Sequence, residues 1–291
     1  MNRYPYVFLT IMSIVWGCNF VAAKTTLAEM APLPAAFWRY LIAVAALGPF
    51  AAKELLSILR ERRQWRNLFI LGFIGIFLYH WLFFAGLKLS EPGAASIVIT
   101  SNPALTALLS ALLLGEKLSW RRWLGFALAA FGALVVLSNG DVMRILTLDF
   151  GDGGFLLIGA VVLWSLYAVL GKRVMETISP LAATTAGFIV ALPMFLIVSA
   201  LEGTLGPSLD VSTDAWLGVV YMGIGASGVA FLLFFKGVAL LGAARASIFI
   251  YLIPLFAFIS SWLMLGESLT AAKLAGAAFV ISGVTLTSKA K

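Results

Sequence analysis

Charged positions punctuate this chain at long intervals. Runs free of Asp, Glu, Lys and Arg cover 4–23, 67–87, 92–115, 123–140, 153–171, 177–201, 215–235 and 246–266. A shorter run occupies 274–288, and one further apolar stretch, about 33–52, is interrupted only by Arg39. A helix needs roughly 20 mostly apolar residues to cross a bilayer. The pattern therefore predicts ten transmembrane helices joined by short loops, an all-α membrane protein with no soluble domain. The runs are too long for barrel strands and lack their alternation. The first, "MNRYPYVFLTIMSIVWG", has the early Arg3 and apolar stretch of a cleaved signal peptide. It is read as span 1 because a counterpart recurs in mid-chain.

That recurrence extends along the whole sequence. At a shift of 151 residues Gly72 meets Gly223, Phe84 meets Phe235, Ser96 meets Ser247, Pro103 meets Pro254, and Gly115-Glu116 meets Gly266-Glu267. Farther upstream a shift of 148 pairs Trp16 with Trp164, Lys24 with Lys172 and Pro32 with Pro180. The chain divides into two five-helix repeats, 1–140 and 150–291. Because five is odd, the second repeat enters the membrane inverted. The loop "GEKLSWRRWLG" at 115–125 carries three basic residues, and its copy "GESLTAAKLAG" at 266–276 carries only Lys273. Cytoplasmic loops retain Lys and Arg, so the loss of charge follows from the change of side. With both termini cytoplasmic, 15 of the 20 Lys and Arg fall on the inside. Lys24, Arg39, Lys88, Arg144 and Lys273 remain near or beyond the outer side.

Composition agrees with a membrane protein: 62% hydrophobic, 11% charged, mean hydropathy +1.03. A soluble domain is about half apolar and a quarter charged. The net charge of +7 does not indicate nucleic acid, because the basic residues sit in loops, as orientation requires. The densest run, "KELLSILRERRQWR" at 53–66, reads as a cytoplasmic loop against anionic lipid. Cys18 is the sole cysteine, so no intrachain disulfide forms. A multi-pass protein of the inner membrane is expected. Inverted repeats with a midplane site between them recur in secondary transporters, although channels also use them.

These features resemble the EamA-type members of the drug/metabolite transporter superfamily. The resemblance rests on the two five-span halves, on "WGCNFVAAK" in span 1 with "WSLYAVLGK" in span 6, and on the Pro-bearing spans leading into "LLGEKLSWRRWLG" and "LMLGESLTAAKLAG". It implies export or exchange of small organic metabolites and a cavity between spans 1, 3, 4, 6, 8 and 9. The bacterial amino-acid exporters, including those for aromatic amino acids, are the nearest in overall impression. The bilayer and a small-molecule substrate are the expected partners. No nucleotide-binding motif or cofactor is indicated, so transport is secondary or facilitated. The oligomeric state stays open.

The candidate site residues follow from polarity and aromatic character inside the spans. Trp16 and Asn19 with Phe20 in span 1, Tyr79 and His80 in span 3, and Trp164 and Tyr167 in span 6 suit a pocket for an amphipathic or aromatic solute. Ser96, Thr100 and Pro103 in span 4 match Ser247, Tyr251 and Pro254 in span 9, and spacings of four and then three place each trio on one helical stripe. Asn102 in span 4 adds a further polar candidate. Pro103 and Pro254 are either static bends or a symmetric pair of hinges. His80, the only histidine, is either a functional intramembrane group, with an ordinary pKa suited to proton transfer, or a neutral imidazole hydrogen-bonded to a neighbouring helix. A metal site is not expected from one His and one Cys. None of the thirteen acids sits at mid-depth, which disfavours cationic cargo and a carboxylate proton relay. Gly125, Gly132, Gly276 and Gly283 read as close-packing faces, and Lys24 and Arg39 as snorkelling side chains, with binding of a substrate carboxylate the alternative for both. An intramembrane serine hydrolase would need His80 as its only base, with no second feature in support. A non-transporting scaffold would leave the paired prolines and polar stripes unexplained.

Overall fold

The computed structural model describes residues 4–58, 61–114, 119–174, 177–241 and 248–289. All its regular elements are helical. Eight helices are long and apolar enough to cross a membrane: Tyr4–Glu29, Pro32–Ile58, Gln64–Lys88, Pro92–Leu113, Trp120–Leu137, Gly151–Gly171, Pro180–Leu201 and Thr213–Phe234. Phe249–Leu265 and Ala271–Leu286, where spans 9 and 10 were expected, are apolar but shorter. The run at 246–266 begins in residues outside the description, and the run at 274–288 was already the shortest.

In finer detail the chain runs α1 (Tyr4–Glu29), α2 (Pro32–Ile58), α3 (Arg62–Leu71), α4 (Tyr79–Lys88), α5 (Pro92–Thr100), α6 (Asn102–Leu114), α7 (Trp120–Leu137), α8 (Val142–Leu146), α9 (Gly151–Val174), α10 (Pro180–Leu201), α11 (Thr213–Val220), α12 (Ala230–Leu241), α13 (Ile253–Leu265) and α14 (Ala271–Lys289). A π-helical segment, Gly72–Leu78, joins α3 to α4, and a second, Tyr221–Val229, joins α11 to α12. They fall at corresponding places under the shift of 151. π-Turns are rare and widen a helix locally, often beside functional sites.

The two prolines do not bend continuous helices. Ser101 separates α5 from α6, and Pro103 is the second residue of α6. Pro254 is the second residue of α13, after a 3₁₀ turn at Ile248–Leu252. A proline in the first turn costs no helical hydrogen bond, since that N–H has no partner within the helix. Each proline thus marks where a span restarts.

Polar side chains fix the helix ends. Ser179 Oγ accepts from Ala182 N at 3.2 Å and Ser212 Oγ accepts from Ala215 N at 3.2 Å, which caps α10 and α11. Glu54, late in α2, accepts from the Ser179 amide and hydroxyl, both at 2.6 Å. Glu29, at the end of α1, accepts from the Ser212 amide at 2.7 Å and hydroxyl at 2.6 Å. These bonds tie α2 to α10 and α1 to α11 with charge-assisted contacts. Gly266 ends α13 at φ +67°, a left-handed cap that glycine adopts without a Cβ clash.

α7 and α14 pack along each other at close range. A Cβ on Gly132 would stand 2.6 Å from the Gly276 carbonyl oxygen, and one on Gly283 would meet the Gly125 carbonyl. The four glycines therefore form the close-packing faces expected of them. α2 with α10, α1 with α13 and α4 with α9 build the rest of the bundle. Its outside carries Phe69, Trp123, Leu217 and Trp262, each at least half exposed. An apolar exterior over helices that satisfy their own backbone is the arrangement lipid demands. The chain is a multi-pass membrane protein.

Candidate functional site

Inside the bundle lies a cavity of about 300 Å³, lined by α1, α2, the first π-segment, α4, α5, α6, α9, α10, α12 and the turn into α13. Trp16, Asn19, Tyr79, His80, Thr100, Asn102, Pro103, Trp164 and Tyr167 all line it. Nine of the sequence-derived candidates thus converge on one space from four predicted spans.

The remaining candidates do not share it. Ser96 is buried, but its hydroxyl donates to the Gly93 carbonyl at 2.6 Å and is spent on its own helix. Its carbonyl accepts from Thr100 Oγ1 at 2.7 Å. Tyr251 is half-buried outside the lining, between Ile250 and Ile253, which belong to it. Pro254 is buried outside the lining as well. Ser247 lies outside the described residues.

Rings dominate the wall. Tyr79 packs on Trp164 at 4.9 Å between centroids, Trp164 on Tyr167 at 5.3 Å, and Tyr79 stacks on Phe83 at 5.7 Å. Trp16 meets Phe231 edge to face at 5.4 Å. Its Nε1 donates to the Ala226 carbonyl at 2.9 Å, inside the second π-segment. The indole is thereby fixed in orientation, and its polar edge is satisfied. Gly75 in the first π-segment faces the Tyr167 ring so closely that a side chain there would collide with it.

His80 is held at both nitrogens. Tyr40 Oη lies 2.5 Å from Nε2, and Nδ1 is 3.0 Å from the Ile76 carbonyl. A carbonyl can only accept, so Nδ1 carries the proton. With Nε2 accepting from the Tyr40 hydroxyl, a neutral imidazole satisfies the whole arrangement. This is the geometry of the second sequence reading, an imidazole bonded to a neighbouring helix, in this case α2.

Spans 2 and 7 line the cavity too, through Arg39, Tyr40, Thr184 and Phe188, and the expected set of spans omitted both. Arg39 is a correction. Its position near the end of an apolar run suggested snorkelling, yet it is 6% exposed. Its Nε donates to Ser227 Oγ at 2.9 Å, and its guanidinium carbon lies 5.3 Å from the Tyr40 ring centre and 5.7 Å from that of Phe84. Ser227 on the second π-segment and Phe84 on α4, with Tyr40 beside it on α2, hold it away from the headgroups. The signal available in the sequence was Arg39 itself, a charge within an otherwise apolar run. Nη1 of Arg39 and Oδ1 of Asn19 and Asn102 are buried without a hydrogen-bond partner. Neither Asp nor Glu is among the described residues of the lining.

Lys24 and Lys273 also bind inward. Lys24 Nζ donates to the carbonyls of Leu87, Lys88 and Ser90 at 3.1, 2.7 and 2.7 Å, where it caps the end of α4. Lys273 Nζ lies 2.5 Å from Glu91 and 3.0 Å from Glu267. The Glu267 side chain, 2% exposed, also accepts from the Gly93 amide at 2.9 Å and from the Ser261 hydroxyl. Within an otherwise exposed loop, Glu267 and Lys273 form a buried ion pair that joins α13 and α14 to the start of α5. Its sequence counterpart, Gly115–Lys117, lies outside the described residues.

Comparison with known proteins places this architecture. A protein of known crystal structure superposes with a TM-score of 0.65 over 98% of this chain and 96% of its own, at 20% identity, which establishes a shared fold. The uncharacterized transporter YyaM of Bacillus subtilis (strain 168) is 30% identical over 280 residues, covering 96% of this chain and 92% of that protein. A probable amino-acid metabolite efflux pump of Escherichia coli (strain K12) is 24% identical over 295 residues, covering 98% and 94%. The EamA-like transporter family matches twice, at residues 3–138 and 152–289. With nearly all of its length matched in this way, the chain belongs to the EamA-like transporter family.

Proposed function

We propose that this protein exports small organic metabolites across the inner membrane, and that aromatic and large neutral amino acids are its cargo. The observation that carries this reading is the cavity. Its volume is at the small end of ligand pockets, its walls are mostly aromatic, and its polar groups are an arginine, a histidine, two amides and hydroxyls rather than carboxylates. A cation would find no counter-charge there, whereas a carboxylate-bearing solute with an apolar body finds both kinds of surface. The name of the Escherichia coli relative points to the same class.

Alternating access is the proposed mechanism, with 1–140 and 150–291 as inverted repeats rocking about the cavity and both termini cytoplasmic. In support, the family matches each half separately. The π-segments in spans 3 and 8 and the proline restarts in spans 4 and 9 occur in pairs. All of these except Pro254 lie at or beside the lining, where a change of helix direction would reshape the pocket.

Counterflow in proteoliposomes tests the reading. Purified protein loaded with phenylalanine should exchange it for external phenylalanine, tryptophan, tyrosine and leucine, and handle glycine, aspartate and lysine poorly. Exchange of nucleosides, sugars or organic cations with no amino acid moved would overturn it.

A further inference from the structure

Arg39 is the one cation lining the cavity among the described residues, and its surroundings leave it incomplete. Ser227 takes its Nε–H, its guanidinium carbon lies over the rings of Tyr40 and Phe84, and Nη1 has no partner. A buried charge without a counter-ion is costly, and so is a buried donor left unmet. The fold accepts both at the wall of the cavity. The guanidinium fork matches a carboxylate geometrically, with two parallel N–H···O bonds. The other unmet groups, Asn19 and Asn102, are neutral amides. They can accept from an ammonium or a hydroxyl equally, but neither supplies the negative charge that would make an ammonium obligatory.

We propose that Arg39 is the carboxylate anchor of this cavity, so that the cargo must carry a carboxylate while its ammonium is dispensable. The site then takes aromatic 2-hydroxy and 2-oxo acids alongside the corresponding amino acids and rejects amines and amides of the same shape. This rests on the proposed reading of the cavity as the substrate site and deepens it. Ser227, on the second π-segment, is a positioning residue that holds the fork toward the space.

The test is equilibrium binding to the purified full-length protein of four ligands with one ring system: phenylalanine, phenyllactate, phenylalanine amide and phenethylamine. Phenylalanine and phenyllactate should bind within about threefold of each other, and the two ligands without a carboxylate about tenfold or more weaker, the size of a lost charge-assisted hydrogen bond. R39Q should abolish the preference for a carboxylate. R39K, which keeps the charge and loses the fork, should retain part of it, and S227A should weaken it in the same direction. The wild-type comparison decides the matter even if R39Q fails to fold. Phenethylamine or the amide binding as tightly as phenylalanine overturns the anchor and leaves the amino-acid reading standing. Failure of all four to bind a protein that moves nucleosides or sugars overturns both. Loss of the carboxylate preference in R39Q alone, with S227A and R39K graded between, supports the anchor.

Discussion

The hydroxyl of Tyr40 in α2 lies 2.5 Å from Nε2 of His80 in α4, and their rings meet edge to face at 4.9 Å. The pair is buried, and each partner consumes the polar capacity of the other. Removing either one strands a buried group, at a cost of about 1–3 kcal/mol. His80→Ala should therefore slow exchange more than it changes the ranking of substrates. Tyr40→Phe should lower the thermal unfolding midpoint of the purified protein while leaving that ranking intact. Initial rates over an amino-acid panel, with a melting curve for each variant, check both.

The junction of Glu267 and Lys273 should be sensitive to half-removal. Lys273→Met leaves the Glu267 carboxylate buried with Gly93 and Ser261 but no cation beside it. Breaking one side of such a pair costs about 3–5 kcal/mol, so the variant should melt well below wild type. The double variant K273M/E267Q, which removes both charges, should recover a large part of the loss. Differential scanning measurements on the four proteins of this cycle report the coupling directly.

Trp164 touches Tyr79 and Tyr167 on the cavity wall. Ring contacts of this kind contribute about 0.5–1.5 kcal/mol beyond area burial. Trp164→Ala should lower the preference for tryptophan and phenylalanine over leucine several-fold in counterflow. A variant with unchanged aromatic preference would remove Trp164 from substrate contact without touching the transporter assignment.

The restarts at Pro103 and Pro254 predict a kinetic phenotype. Alanine returns a backbone N–H and favours a continuous helix through Ser101 or Leu252. Pro103→Ala and Pro254→Ala should change the maximal exchange rate more than the half-saturating concentration, because gating steps commonly limit turnover. Equal losses of affinity in both would assign the prolines to pocket shape instead.

Topology is testable without substrate. In a Cys18→Ala background, single cysteines at 53–66, 115–122 and 172–176 should react only with reagent on the cytoplasmic side. Those at 144–150, 203–213 and 267–270 should react only from outside, with buried Glu267 the slowest of its group. Labelling of the 115 and 266 loops from one face would end the inverted-repeat proposal.

Much of the fold was legible because it depends on length and composition. A 20-residue apolar run has few alternatives, and eight of the ten expected spans have the corresponding length. Trp16, Tyr79, His80 and Trp164 were legible for a related reason, since bulky polar-tipped side chains deep inside a run have little reason to face lipid. Arg39 was misplaced because distance from the end of a run measures depth along one helix. Burial is decided by neighbours on others, here Phe84 and Ser227. Ser96 was misplaced because helical spacing sets which face a residue occupies, while a serine hydroxyl can still turn back to its own backbone. The contribution of α10 had no marker beyond Thr184, one of several hydroxyls in an apolar span.

The π-segments bear on how this chain can be compared with its relatives. An α-helix advances 3.6 residues per turn, so one extra residue accommodated in a widened turn rotates everything beyond it by about 100° relative to an uninterrupted helix. Tyr79, His80 and Phe83 reach the cavity from α4 only after Gly72–Leu78 has reset the phase, and Phe231 and Phe234 reach it only after Tyr221–Val229. A relative that lacks the π-turn while aligning without a gap would present different columns of its sequence to the same space. Deleting a single codon within Gly72–Leu78 would do likewise here, turning His80 off its bond to Tyr40 with every residue downstream still unchanged in identity.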